Sequence, residues 1–256
     1  MSPNRLEKGS VGGRPRPGDA PAPGLGEAEI HIWSVPLDLP AAEVASLGEL
    51  LDPEEMKRAL RFRFDRHRRR FIVGRGTLRK ILGAYLGEEP RDLAFAYGPK
   101  GKPSLDGRFA SSGICFNLSH SSELALYGLT LGGDLGVDVE FRRPMPDAEQ
   151  IAERFFSQSE KEALREIPQE TKSEAFFNCW TRKEAYIKAT GDGLSMPLDR
   201  FDVTLTPGEE ARMLRAEGSR EKAENWSMFH LEPAEGYVAA VAIPGHGWRL
   251  VQPQSE

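Results

Sequence analysis

The sequence predicts an α+β protein of two lobes related by a pseudo-twofold axis, each lobe a long helix packed on a small antiparallel sheet. Three observations predict it. Two stretches of helical periodicity, one through Phe71, Leu78 and Leu82 and one through Ser173 to Lys188, each precede a pair of strand-like segments. Aligned without gaps, Phe116-Asn-Leu-Ser-His-Ser-Ser-Glu-Leu-Ala-Leu126 matches Phe229-His-Leu-Glu-Pro-Ala-Glu-Gly-Tyr-Val-Ala239 in apolar pattern. The helices also share a spacing, Phe71, Arg75 and Arg79 against Phe176, Trp180 and Glu184. A supersecondary unit stacked on its own copy buries what neither buries alone, and the cleft between two such lobes is where a ligand site is expected. The lobes are expected to span 28–136 and 137–245, with tails over 1–27 and 246–256.

At 256 residues the chain is long enough for a full core. Its net charge of -5 and 39% apolar content are ordinary for a globular protein. No apolar run approaches the ~20 residues that span a bilayer, and the N-terminus lacks the apolar segment of a secretory signal. A cytoplasmic protein with no membrane partner is expected. Cys115 and Cys179 are too few for a disulfide framework or zinc cage and read as small core residues. Two fused lobes make a monomer sufficient.

Residues 1–27, dense in Gly, Pro and Arg, read as a disordered tail. Alternation from Glu29 to Val35 predicts the first strand, and short helices are expected over Ala41–Leu51 and after Asp52-Pro53, where Pro suits a first helical turn. From Lys57 to Lys80 there are eleven Lys or Arg residues against the single acid Asp65. Such a cationic patch in an acidic protein is either a solvated face or a seat for a polyanion, RNA or DNA or a small molecule with several phosphates. Phe95-Ala-Tyr97-Gly-Pro-Lys100-Gly-Lys102-Pro103 reads as a turn rich in breakers. Ile114 to Tyr127 reads as strand, tight turn, strand, with Ser119, His120, Ser121 and Ser122 at the strand end. These hydroxyls, an imidazole and backbone N–H groups suit a phosphate, or form only a polar hairpin tip.

The next strand is Leu135-Gly-Val-Asp138-Val-Glu140. Its period of two sends Val137 and Val139 to one face and both acids to the other. Two adjacent carboxylates repel unless something positive lies between them. A hard divalent cation such as Mg2+ satisfies them; solvation at an exposed edge is the alternative. Ser157 is positioned to cap a helix. After Pro168 comes the stretch Trp180-Thr-Arg-Lys183-Glu184-Ala-Tyr-Ile-Lys188, with Gly191 and Gly193 as stop signals. At 3.6 residues per turn, Trp180, Glu184 and Lys188 share one face, which alone is compatible with a plain i,i+4 ion pair. A strand follows over Asp202–Leu205, then a charged, exposed excursion over Glu209–Asn225, then a hairpin of Trp226–Leu231 and Gly236–Ile243. The tail after Pro244 carries one Trp and little else.

Together Gly136-Val-Asp138-Val-Glu140 and Trp180-x-x-Lys183-Glu184-Ala-x-x-Lys188-x-x-Gly191-x-Gly193-Leu194 resemble the signature of the Sfp-type 4′-phosphopantetheinyl transferases. Gly101-Lys102-Pro103, Phe116-Asn-Leu-Ser119-His120-Ser121 and Phe155-Phe156-Ser157 match in order, and the likeness covers roughly 30–245. The resemblance implies a transferase of the holo-acyl-carrier-protein synthase type. Coenzyme A would give its 4′-phosphopantetheine arm to a serine of an acyl or peptidyl carrier protein, releasing 3′,5′-ADP. It implies Mg2+ held by Asp138, Glu140 and Glu184 against the pyrophosphate, with Lys188 on the same phosphates. Arg70, Lys102, Ser119, His120, Asp138, Lys183 and Lys188 would bind coenzyme A, with Arg70 and His120 near the 3′-phosphate. Glu184 is the candidate base for the serine proton, a metal-bound water being the alternative. The carrier is expected beside the cleft, over residues 142–156. A nucleic-acid module built on the basic helix leaves the three acids unexplained.

Overall fold

The computed structural model describes residues 24–253, apart from 192 and 217. The expected tail of 1–27 therefore lies almost wholly outside the described residues. The first lobe runs β1 (Glu29–Pro36), α1 (Ala41–Gly48), α2 (Pro53–Leu60), α3 (Asp65–Leu86), β2 (Phe95–Tyr97), β3 (Pro103–Leu105), β4 (Ile114–Ser121) and β5 (Leu124–Leu131). The second runs β6 (Gly136–Phe141), α4 (Ala148–Phe155), α5 (Gln158–Glu166), α6 (Gln169–Thr190), β7 (Asp202–Val203), β8 (Met213–Arg215), α7 (Arg220–Glu224), β9 (Trp226–Leu231) and β10 (Tyr237–Pro244). The last strand, β11 (Arg249–Val251), returns to the first lobe.

The pseudo-twofold is visible in the sheet orders, β11-β1-β5-β4 against β6-β10-β9. In both, the last strand of the repeat is central and pairs antiparallel with the first and the next-to-last. The long helices α3 and α6 have 22 residues each and end at left-handed glycines, Gly87 (φ 67) and Gly191 (φ 76). Each is preceded by a short helix with a capping box, Asp52 with Glu55 and Ser157 with Glu160. The box glutamates are buried and serve a second purpose. Glu55 is paired with Arg75 and with Arg79 (2.7 Å), whose guanidinium also donates to the carbonyls of Pro90 and Leu93 (3.0 Å each). Glu160 pairs with Lys183 at 2.8 Å, and that ammonium donates to the carbonyls of Leu198 and Phe201 at 2.7 Å. The duplication is thus carried by a repeated buried ion pair. The counterpart of Arg79 is Lys183, one residue away from the alignment with Glu184 that apolar spacing suggested.

Three apolar clusters hold the molecule. One lies between α3 and the first sheet, built on Val73, Leu78, Leu82, Tyr127 and Leu129; one between α6 and the second sheet, built on Phe176, Ile187, Val238 and Ala240. The third joins the lobes through Ile30, Ile32, Leu126, Val137, Val139, Val241 and Ile243. The central strands β5 and β10 are therefore buried on both faces, which explains their nearly unbroken apolar runs.

The segment 209–225, expected as an exposed excursion, is instead part of the second lobe. Ala211, Met213, Ala216 and Ala223 enter its core, and the charges between them sit on the outer side. The tail beyond Pro244 also has a structural role. Residues 249–251 pair in parallel with Glu29–His31, and Trp248 and Leu250 pack on the cluster between the lobes. Ending the chain after Pro244 is expected to lower Tm by roughly 5 °C or more, because β1 becomes an open edge and the cluster between the lobes loses the cover of Trp248 and Leu250; a melting scan checks it. No helix among the described residues is long and apolar enough to cross a membrane.

Much of the cationic run from Lys57 to Lys80 is neutralised within the fold. Arg75 and Arg79 are buried, Arg66 and Arg70 are tied to Asp38 and Glu123, and Arg68 is paired with Asp65. Both cysteines are free, Cys179 buried and Cys115 half-buried, as their apolar surroundings predict.

Candidate active site

A cavity of about 860 Å3 opens between the lobes. Leu118, Ser119 and His120 of β4 form one side; Asp138 and Glu140 of β6 the floor; Trp180, Glu184 and Lys188 of α6 the other side. Phe155, Met196, Pro197 and Leu198 complete an apolar wall, with the Arg154 guanidinium over the Phe155 ring.

Local packing puts these groups together. A Cβ at Gly136 would stand 2.0 Å from the Ala185 carbonyl oxygen and 2.4 Å from the Ala189 nitrogen. The backbone of α6 thus rests directly on β6, and only glycine permits that approach. The contact lays the Trp180–Glu184–Lys188 face beside the acids of β6. On the strand itself, Val137 and Val139 point into the interlobe cluster, which leaves Asp138 and Glu140 for the cavity.

β6 and β4 are the facing edges of different sheets, and no main-chain ladder joins them. Alternate side chains of β4 bridge the gap. Asn117 Oδ1 accepts from the Val137 N–H (3.0 Å), and the Ser119 hydroxyl donates to Asp138 Oδ1 (2.9 Å). The Ser121 hydroxyl donates to Glu140 Oε2 (2.7 Å) and accepts from the Phe141 N–H (3.1 Å). Lys188 Nζ completes the junction, donating to Asp138 Oδ1 at 2.7 Å and to Ser119 Oγ at 2.8 Å.

Three carboxylates and one ammonium set the electrostatics of the cavity. Asp138 Oδ2 is buried with no hydrogen-bond partner among the described residues. A buried carboxylate oxygen with no hydrogen-bond partner is costly. Glu184 is pushed up to about 6, first by burial and then by Asp138 and Glu140, with Lys188 opposing. Glu140 is also raised, chiefly by burial, against the hydrogen bond from Ser121. His120, at the rim, is held below its usual range by its crowded position and then by the positive charges of Lys188 and Arg70. No group of three or more acid, histidine or cysteine side chains among the described residues is closed to metal-ligand distance. The three carboxylates share the lining of one cavity with Lys188, which is hydrogen-bonded to Asp138.

Of the residues expected at the site, Ser119, His120, Asp138, Glu140, Glu184 and Lys188 line this cavity. Lys183 does not. Its ammonium is fully buried in the ion pair with Glu160, on a different face of α6, because at 3.6 residues per turn 184 and 188 share one face and 183 falls on another. Lys183 as a coenzyme ligand is therefore corrected to a core residue. Lys102 stands outside as well, donating to the Ala189 carbonyl (3.0 Å) near the C-terminus of α6 and to Asp134 (3.3 Å). Arg70 holds Asp38 through two hydrogen bonds of 2.7 and 2.6 Å and donates to the Ser122 carbonyl, close enough to His120 to depress it. The sequence reading did not find Arg154, Met196, Pro197 or Leu198 in the lining. Ser119 and Ser121 belong to the strand, and the turn itself is Ser122-Glu123, with Ser122 at φ 51.

Comparison with known proteins covers both sides of the cavity. A family model described as the 4′-phosphopantetheinyl transferase superfamily matches residues 134–242, and one described as 4′-phosphopantetheinyl transferase, N-terminal, matches 40–128. The chain is 47% identical over 221 residues to 4′-phosphopantetheinyl transferase HetI of Nostoc sp. (strain PCC 7120), covering 86% of this chain and 90% of that protein. It is 38% identical over 170 residues to putative 4′-phosphopantetheinyl transferase slr0495 of Synechocystis sp., covering 66% and 68% of the two. It is 27% identical over 178 residues to 4′-phosphopantetheinyl transferase Sfp of Bacillus subtilis (strain 168), covering 69% and 77%.

Proposed function

The chain belongs to the 4′-phosphopantetheinyl transferase superfamily, and from that premise we propose that it moves the 4′-phosphopantetheine arm of coenzyme A to a serine hydroxyl of an apo acyl or peptidyl carrier protein, releasing 3′,5′-ADP. The acceptor chemistry is of the holo-acyl-carrier-protein synthase type. The observation that carries the reading is the cleft itself, where an ammonium and three carboxylates of the second lobe face Ser119 and His120 of the first across one space.

Asp138, Glu140 and Glu184 would hold Mg2+, and the unpartnered Asp138 oxygen and the raised Glu140 and Glu184 fit such a cation. When bound, Mg2+ supplies electrostatic stabilisation of the charge that builds on pyrophosphate oxygens. Lys188, fixed by Asp138 and Ser119, adds a second positive charge at the same place without reorganisation. His120 and Arg70, neighbours at the rim, would take the 3′-phosphate, with Arg70 exchanging part of its contact with Asp38. A serine hydroxyl attacks a phosphorus only as its proton leaves, and Glu184, raised to about 6 in the metal-free protein chiefly by burial, is the proposed acceptor of that proton, with a metal-bound water the alternative once a cation lowers the carboxylate's basicity. Arg154 and Phe155 border the cavity at the end of α4, so the carrier's approach over 142–156 brings its serine to the open side.

Incubation with coenzyme A, Mg2+ and a panel of apo carriers is expected to add one phosphopantetheine per carrier domain, read by mass spectrometry. No mass increase on any fatty-acid, polyketide or peptide synthase carrier would overturn the assignment.

A further inference from the structure

The two acids of β6 are not free to choose their orientation. Ser119 and Ser121 stand two residues apart on β4, Asp138 and Glu140 two apart on β6, and each serine is hydrogen-bonded to one acid, at 2.9 and 2.7 Å. The proton inventory of each hydroxyl is full. Ser119 accepts from Lys188 and donates to Asp138; Ser121 accepts from the Phe141 N–H and donates to Glu140. A hydroxyl whose acceptor position is taken by a main-chain N–H has one remaining direction for its proton. Each acid thereby has one oxygen engaged at the strand junction and a second left over, and for Asp138 that second oxygen is the buried unpartnered one.

We propose that Ser121 is a positioning residue of this transferase, setting the rotamer of Glu140 so that its free oxygen is presented to the cation proposed for the cleft. The inference rests on the metal reading given above. Ser121 does not line the cavity and touches no reacting atom. It acts through Glu140, as hydrogen-bond partners of metal-bound carboxylates commonly do, and loss of such a partner typically weakens metal binding by ~10- to 100-fold. The same two-residue period that makes β4 a strand provides the match in spacing, so no loop has to be ordered to supply it.

The test uses the full chain and Mn2+ as a paramagnetic probe in place of Mg2+, so binding is read by electron paramagnetic resonance without turnover. Ser121→Ala is expected to raise the Mn2+ dissociation constant about tenfold, and to raise half-saturating Mg2+ in the transfer assay by the same factor with little change in the KM for coenzyme A. Ser121→Thr, which keeps the hydroxyl, is expected to restore both. The double variant S121A/E140Q is expected to bind Mn2+ no worse than E140Q alone, since the serine has no acid left to orient. Native-like Mn2+ affinity in S121A, equal impairment in S121A and S121T, or additive losses in the double variant would each overturn the proposal. Failure of the native protein to bind Mn2+ at all would instead overturn the metal reading on which it rests. Thermal melts of the native protein and the four variants identify any variant that has not folded; should S121A not fold, Mn2+ affinity in S121T well below native overturns the proposal.

Discussion

Glu184→Gln is expected to abolish measurable transfer while raising the melting temperature of the metal-free protein at pH 7.5. The loss of activity should be on the order of 100- to 10,000-fold, the usual contribution of a positioned base, because glutamine keeps the shape and removes the proton acceptor. The gain in stability follows from the raised pKa. In the folded protein Glu184 titrates near 6, above the ordinary 4.5, because burial and the charges of Asp138 and Glu140 disfavour its ionised form. Above pH 6 the folded state therefore carries a charge that the unfolded state accommodates more easily. The native protein should gain stability as pH falls from 7.5 through 6, and that gain should level off below the unfolded value. Glutamine removes the penalty at neutral pH, an effect of a few degrees in a protein of this size, and brings no such benefit near pH 4.5. Near-normal turnover would remove Glu184 from the chemistry. An unchanged or lower Tm at pH 7.5 would show that burial and the neighbouring acids do not penalise the Glu184 charge.

Lys183→Met is expected to have the opposite character, a large loss of stability with no specific defect in coenzyme binding. The substitution strands the Glu160 carboxylate, 2% exposed, with the N–H groups of Ser157 and Val203 and the Cys179 thiol in place of the ammonium. It also strips the Leu198 and Phe201 carbonyls of their donor. Breaking one side of a buried pair costs about 3–5 kcal/mol, a large share of the 5–15 kcal/mol that typical domains have. Chemical denaturation reads this directly. Removing both charges in E160Q/K183M should recover part of the loss, since the uncompensated charge is then gone. An unaltered unfolding midpoint with a raised KM for coenzyme A would return Lys183 to the binding site.

What could be read from the sequence follows from where its periodicities are strong. The strand alternation at Val137 to Glu140 and the helical spacing of Trp180, Glu184 and Lys188 each report a face, and the structure puts both faces on one cavity. The fused repeat was legible because its two central strands are buried on both sides and so write the same apolar pattern twice. Lys183 was misplaced because a motif gives spacing along the chain but not which side of the helix meets the core. The register of the repeat was off by one residue for a related reason. Apolar spacing aligns Arg79 with Glu184, whereas the physical equivalence is the buried cation bonded to a capping-box glutamate, Arg79 with Lys183. Residues 209–225 looked exposed because short apolar side chains, Ala211, Ala216 and Ala223, give a weak signal among many charges. The wall formed by Met196, Pro197 and Leu198 follows the end of α6 and lacks any period of its own.

The duplicated fold is asymmetric at one edge, and the asymmetry has a mechanical consequence. In a parallel pair the starting ends of the strands lie together. Tension entering ahead of Glu29 and leaving beyond Val251 therefore pulls β1 and β11 past each other along their length. All three residue pairs of that ladder share the load at once, rather than parting one after another as a hairpin drawn from its open end does. Stretched from its two flanks, the protein should resist through this short clasp first, and the lobe carrying α6 should yield only after it slips.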